Sequence, residues 1–203
     1  MRLALLLLTL ALIPVGATVY RLADLAFWPA TADTLRFHAA HWPVAVHITG
    51  GALFMILGAL QLIPALRRHA WHRRAGRVAV VAGFLAAAAG LWMTLTFPAA
   101  PNNGPVLFAL RLIAGTAWIV FLALAVQAIR QRQIARHRAY MARALAMAFG
   151  AGTTVITFGL WFAATGIDND LTSALSQGAA WALNLALVEW ALARHATPKG
   201  LPA

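Results

Sequence analysis

Six runs of about 20 apolar residues, each separated from the next by a short polar segment, leave this chain few ways to fold. They extend over Leu3–Tyr20, Trp42–Pro64, Gly76–Phe97, Pro105–Ile129, Met141–Thr165 and Leu175–Ala193. A hydrocarbon core of ~30 Å asks for about this length of helix. Transmembrane strands alternate apolar and polar residues, and these runs do not. The expected fold is therefore all-α: a polytopic membrane protein with six transmembrane helices forming a single integral membrane domain over residues 1–203. With 62% of residues hydrophobic and 10% charged, the chain lacks the charge to cover a water-soluble domain of its size. The first run has some marks of a signal peptide, with Arg2, a Leu-rich stretch and the small residues Gly16 and Ala17. Its continuation through Val19 and Tyr20 favours a retained helix, and the remaining topology is the same under either reading.

Basic residues orient the helices. Arg67, Arg68, Arg73, Arg74 and Arg77 follow the second run, and Arg130, Arg132, Arg136, Arg138 and Arg143 follow the fourth. Arg2, Arg194 and Lys199 stand near the termini. Six crossings bring all of these to one side, which the positive-inside rule makes cytoplasmic. Asp24, Asp33, Asp168 and Asp170 fall on the other side. The expectation is a bacterial inner-membrane protein with both termini in the cytoplasm. Although the net charge is +11, it is spread through topology-setting segments rather than gathered in a patch, so the lipid bilayer and not nucleic acid is the expected partner. The absence of cysteine excludes disulfides and thiolate chemistry. No HExxH, P-loop, nucleophile elbow or GxGxxG occurs, so nothing points to hydrolysis or nucleotide binding, and enzymatic activity stays open.

Two segments repeat weakly. His72-Arg73 leads into the third run and His137-Arg138 into the fifth. Runs two and three make one hairpin and runs four and five another, which predicts a central four-helix bundle with the first and sixth helices outside it. His47, Gly51, Phe54, Gly58 and Gln61 share one face of the second helix, and His72, Gly76, Gly83 and Gly90 one face of the third. Such stripes are either helix–helix seams or space cleared for a flat ligand. The long connector Arg21–His41, with Trp28, Pro29 and His38, is a candidate interfacial or re-entrant piece.

Ionisable and amide side chains at membrane depth are functional candidates. Here they are His47, Arg111, Arg143 and Glu189, with Gln61 and Asn184. Glu189 has two readings, a salt bridge to an inner arginine such as Arg143 or a proton-carrying carboxylate. Arg111 either snorkels or binds an anion. Imidazole ligates haem iron, so His72 and His137 are candidate axial (metal) ligands, with Arg73, Arg77, Arg138 and Arg143 placed for propionates or a quinone anion. His69 and His72, three apart, are a weaker metal pair. His47 and Arg111 would form an outer polar site.

Three segments carry a family resemblance: His47-Ile48-Thr49-Gly50 through Gly58-Ala59-Leu60-Gln61, Pro64 and His72-Arg73 to Gly76-Arg77; His137-Arg138-Ala139-Tyr140-Met141-Ala142-Arg143; and Trp181, Asn184-Leu185 and Glu189. Over roughly residues 43–190 the chain resembles the domain of unknown function 2306 (DUF2306) family of bacterial membrane proteins. That resemblance implies a multi-pass fold and no established activity. Its His-bearing hairpins also look loosely like the b561-type four-helix cytochromes, without a His on each of four central helices. The expectations for function are binding of haem b or a similar redox cofactor, with electron exchange with quinone; a cofactor-free transporter or binding protein with His47, Arg111, Asn184 and Glu189 around a cavity; or an assembly protein that docks another membrane subunit.

Overall fold

The computed structural model describes residues 2–196 except 33, 69 and 99, and these are helical or loop, with no strand among them. The expectations attached to His69, Asp33 and Lys199, and to the side chains of Arg2, Arg67 and Arg68, lie outside the described residues. In chain order the helices are α1 (Arg2–Phe27), α2 (Leu35–Ala39), α3 (His41–Gln61), α4 (Ala70–Thr96), α5 (Pro105–Arg130), α6 (Ile134–Thr165) and α7 (Asp170–Ala196), with a 3-10 turn at Pro64–Arg68. All but α2 are long and apolar enough to cross a membrane, which gives six spans. The chain is a multi-pass membrane protein.

Several helices outrun the apolar segments that announced them. α4 begins at Ala70 instead of Gly76, α6 at Ile134 instead of Met141, and α7 at Asp170 instead of Leu175. Backbone hydrogen bonds do not stop where lipid stops, so each helix carries on through its Arg-, His- or Ser-containing interfacial turns. α3 instead ends early, at Gln61, because Pro64 has no N–H for a further helical bond and the chain tightens into the 3-10 turn. Gly166, at φ 65°, stops α6 in the left-handed conformation that L side chains avoid. The long connector resolves into an extension of α1 to Phe27 and the short α2.

The four helices α3–α6 form a ring: α3 lies along α4, α4 against α5, α5 along α6, and α6 closes on α3. The outer two flank it, α1 on α3 and α6 and α7 on α6 and α5. This is the expected bundle of two hairpins. Its buried positions are mostly alanine, around Phe54, Leu122, Leu145 and Phe149. Leucines and isoleucines such as Leu85, Leu95, Ile113, Leu160 and Leu187 point outward and are more than half exposed, as a lipid-facing surface requires. Lipid tails are as apolar as these side chains, so the hydrophobic effect does not hold the helices together; close contact does.

The α3/α4 seam shows how. A Cβ added at Gly90 would sit 2.9 Å from the His47 ring, one at Gly83 2.9 Å from the Phe54 ring, and one at Gly76 3.9 Å from the Gln61 amide. Three large α3 residues seven apart thus meet three α4 glycines seven apart, in one antiparallel register. At these positions the seam reading of the stripes holds. α1 docks by a related device. Pro14 cannot donate to Leu10 O, and Gly152 on α6 lets that carbonyl approach to 3.1 Å of where a Cβ would stand. The Thr18 hydroxyl bonds Pro14 O at 2.8 Å and reaches Ile48 O of α3 at 3.3 Å.

Candidate functional site

In the half of the molecule away from the arginine-rich end, the ring does not close completely. A cavity of about 850 Å³ lies among α1, α3, α4, α5, α6 and α7. Its deeper walls are apolar, with Met55, Trp118, Met147 and Trp181. Ile13 of α1 and Val155 of α6 line it and are 41% and 52% exposed, so the lining includes side chains that are partly accessible from outside the bundle. Gly51 lines it, and a Cβ there would meet nothing within 4 Å. Here, unlike at Gly76, Gly83 and Gly90, a glycine of the stripes leaves space that no neighbouring side chain fills.

The charged and imidazole side chains of the cavity come from four helices, and Gln177 joins them from a fifth. His47 on α3 has its Nδ1 2.8 Å from Ala86 O. A carbonyl only accepts, so Nδ1 carries the proton and donates it; in the neutral ring Nε2 is left as the lone-pair acceptor. Arg111 on α5 donates from Nε to Gln177 Oε1 of α7 at 2.9 Å, which fixes the guanidinium plane at the cavity wall. Arg21 of α1 and Arg36 of α2 stand at the outer mouth. Both guanidiniums cover the Phe37 ring, at 4.6 and 4.5 Å from its centroid. Arg21 also pairs at 2.7 Å with Asp24, a buried carboxylate. His38 Nε2 is 3.8 Å from the same oxygen, too far for a hydrogen bond. Trp42, Trp92, Phe97 and Phe37 make an aromatic cluster at this end.

The other candidate residues separate into three groups. Asn184 is not in the cavity but in the α6/α7 seam, where Nδ2 donates to Ala146 O at 3.1 Å and Oδ1 meets the Thr153 hydroxyl at 3.1 Å. Glu189 sits nearer the arginine-rich end and takes Arg143 in a two-point bridge, Nε to Oε1 at 2.6 Å and Nη2 to Oε2 at 2.8 Å. Of its two readings, the geometry is that of the salt bridge fixing the last helix. The inner-rim residues His72 and His137 lie in the first turns of α4 and α6, outside the cavity wall. His137 Nδ1 donates to Ala125 O of α5 at 2.9 Å. Arg73, Arg77 and Arg138 are exposed on that rim, while Gln61 is half-buried beside Gly76. No cluster of three or more His, Asp or Glu able to hold a metal ion occurs among the described residues.

Sequence reasoning singled out His47 and Arg111 but missed Gln177, Arg21 and Arg36 as their companions. Gln177 is an uncharged amide in a helix of mixed polarity and gives little signal. Arg21 and Arg36 read as loop charges because the extension of α1 and the existence of α2 were hidden in the connector. Among known proteins, a family model described as a predicted membrane protein (DUF2306) matches residues 44–192. No curated protein and no solved structure matches the chain, so the looser likeness to b561-type cytochromes gains no support.

Proposed function

The chain belongs to the DUF2306 family of predicted membrane proteins, and from that setting we propose that it binds a small amphipathic molecule in its outer cavity, either to carry it or to present it to a partner. One observation carries this reading: a space of about 850 Å³ has an apolar interior, partly exposed lining residues on α1 and α6, and cationic and imidazole groups among its lining. A polar head would rest at Arg111, His47 and the mouth arginines, and its tail would leave between α1 and α6. An isoprenoid quinone is one molecule of this shape. The setting we assign is the bacterial inner membrane, with the arginine-rich end and both termini in the cytoplasm.

Gly51 supplies the test. A leucine there would project into open space rather than into a neighbour, so it fills the cavity without disturbing a seam. Native mass spectrometry of protein purified in mild detergent should show an amphipathic adduct that Gly51→Leu loses while thermal stability is kept. A variant that unfolds like the parent and retains the same adduct would refute the reading.

The haem b reading at His72 and His137 rests on a narrower feature. Donation from His137 Nδ1 to Ala125 O leaves Nε2 as a ligand lone pair, the orientation metal-bound histidines take. The cavity is favoured because it unites space, a partly accessible lining and polar groups from several helices. An absorbance spectrum of the same preparation separates the two readings, since only haem gives a Soret band.

A further inference from the structure

We propose that the head group this cavity receives is a phosphate monoester, held by Arg21, Arg36 and Arg111. The inference rests on the amphipathic-ligand reading above and specifies its chemistry. Three guanidiniums line one cavity. Among the described residues, Asp24 is the one acid ion-paired with any of them, and it is engaged by Arg21 at 2.7 Å. Among the described residues, Arg111 reaches only the neutral Gln177 amide. Arg36 lies face-on to Phe37, and its buried Nε has no hydrogen-bond partner among the described residues.

Two such cations, one of them with an orphaned buried N–H, are costly at the edge of a bilayer unless an anion joins them. The charge to be matched is about two, and a phosphate monoester carries about −1.5 to −2 at neutral pH. Its three terminal oxygens are strong acceptors for the charge-assisted N–H donors that guanidiniums supply. A carboxylate would leave one cation unmatched, and a neutral quinone both. Phosphate can arrive as a lipid head group or as the free ion. The apolar interior favours the lipid, since inorganic phosphate would leave Met55, Trp118, Met147 and Trp181 facing an unfilled space.

The test titrates the full chain, in dodecyl maltoside, with dodecyl phosphate, dodecanoate, decyl-ubiquinone and inorganic phosphate, by calorimetry. Dodecyl phosphate should bind about 10-fold or more tighter than each of the others, the difference one charge-assisted hydrogen bond supplies. Arg36→Gln should weaken dodecyl phosphate about 10-fold and decyl-ubiquinone, whose head is neutral, by about 2-fold or less. Arg36 stands on the short α2 outside the bundle, so this variant keeps the fold. If dodecanoate or decyl-ubiquinone binds as tightly as dodecyl phosphate and Gly51→Leu abolishes that binding, the head-group assignment falls and the cavity reading stands. Inorganic phosphate binding as tightly as the ester overturns the lipid source. If no amphiphile binds and Gly51→Leu changes nothing, both readings fail together.

Discussion

His47 shows how one side chain serves two purposes. Its ring covers Gly90 and is tied to the α4 backbone at Ala86 O, and it also forms part of the cavity wall. In a helix, Gly→Ala is ordinarily favourable by about 1 kcal/mol. At Gly90 the added methyl would stand 2.9 Å from the imidazole. The ring must then swing away, which sacrifices its bond to Ala86 O and costs about 0.5–1.5 kcal/mol in addition to the overpacking. Gly90→Ala should therefore destabilise the protein by about 1–2 kcal/mol in reversible detergent unfolding. In a His47→Ala background the same change should be neutral or stabilising, because the obstacle is gone. Gly51→Ala, with nothing near its Cβ, should show no penalty in either background. An equal loss with and without His47 would mean that the ring is not what Gly90 accommodates.

Among the elements, α7 has an attachment unlike that of the others. α3 and α4 interlock by large side chains on glycines, whereas α7 is held to α6 by side-chain bonds along its length: Thr157 to Ser176 O at 2.8 Å, Asn184 to Ala146 O, and the Arg143–Glu189 bridge. Midway, Trp181 fills the space beside Gly150. Hydrogen bonds between membrane helices measure about 0.6 kcal/mol on average and up to about 1.7. Asn184→Leu removes two and should cost about 1–3 kcal/mol. Glu189→Gln breaks an ion pair whose carboxylate is half-exposed, so its cost should be smaller. Exchanging the charges, Arg143→Glu with Glu189→Arg, should recover what either single change loses. If the exchanged pair is no more stable than the worse single variant, the bridge does not fasten α7. The pairing of Glu189 with an inner arginine was legible in the sequence because a charge within a membrane span needs a partner, and the polar residues of both helices could be read off the chain. The helix ends were less legible. Hydropathy reports where lipid begins, and α4, α6 and α7 each continue for several residues beyond that boundary.

The whole molecule depends on a topology that the sequence stated clearly and on a site that it stated in part. Six apolar runs became six spans, and the two hairpins became the central ring. The reason is that lipid imposes a length and a polarity on each helix separately, without reference to its neighbours. A cavity is a property of several helices at once. His47 and Arg111 were visible as polar groups at depth, but what gathers Arg21, Arg36 and Gln177 around them is the way α1, α2 and α7 lean on the ring, which no single segment encodes. The site is consequently only as well oriented as the topology. In the orientation we propose, with the arginine-rich end in the cytoplasm, the cavity mouth would face away from the cell interior and the proposed ligand would enter from the outer leaflet. The natural chain has no cysteine, so a single one can be introduced as an unambiguous reporter. Cysteine at Gln131, in the turn between α5 and α6, should resist a membrane-impermeant thiol reagent in intact spheroplasts and react once they are opened. Cysteine at Ile167, in the turn between α6 and α7, should react from outside in both conditions. The opposite pattern would invert the protein, place the cavity mouth at the cytoplasmic surface and change the leaflet from which an anionic lipid could enter.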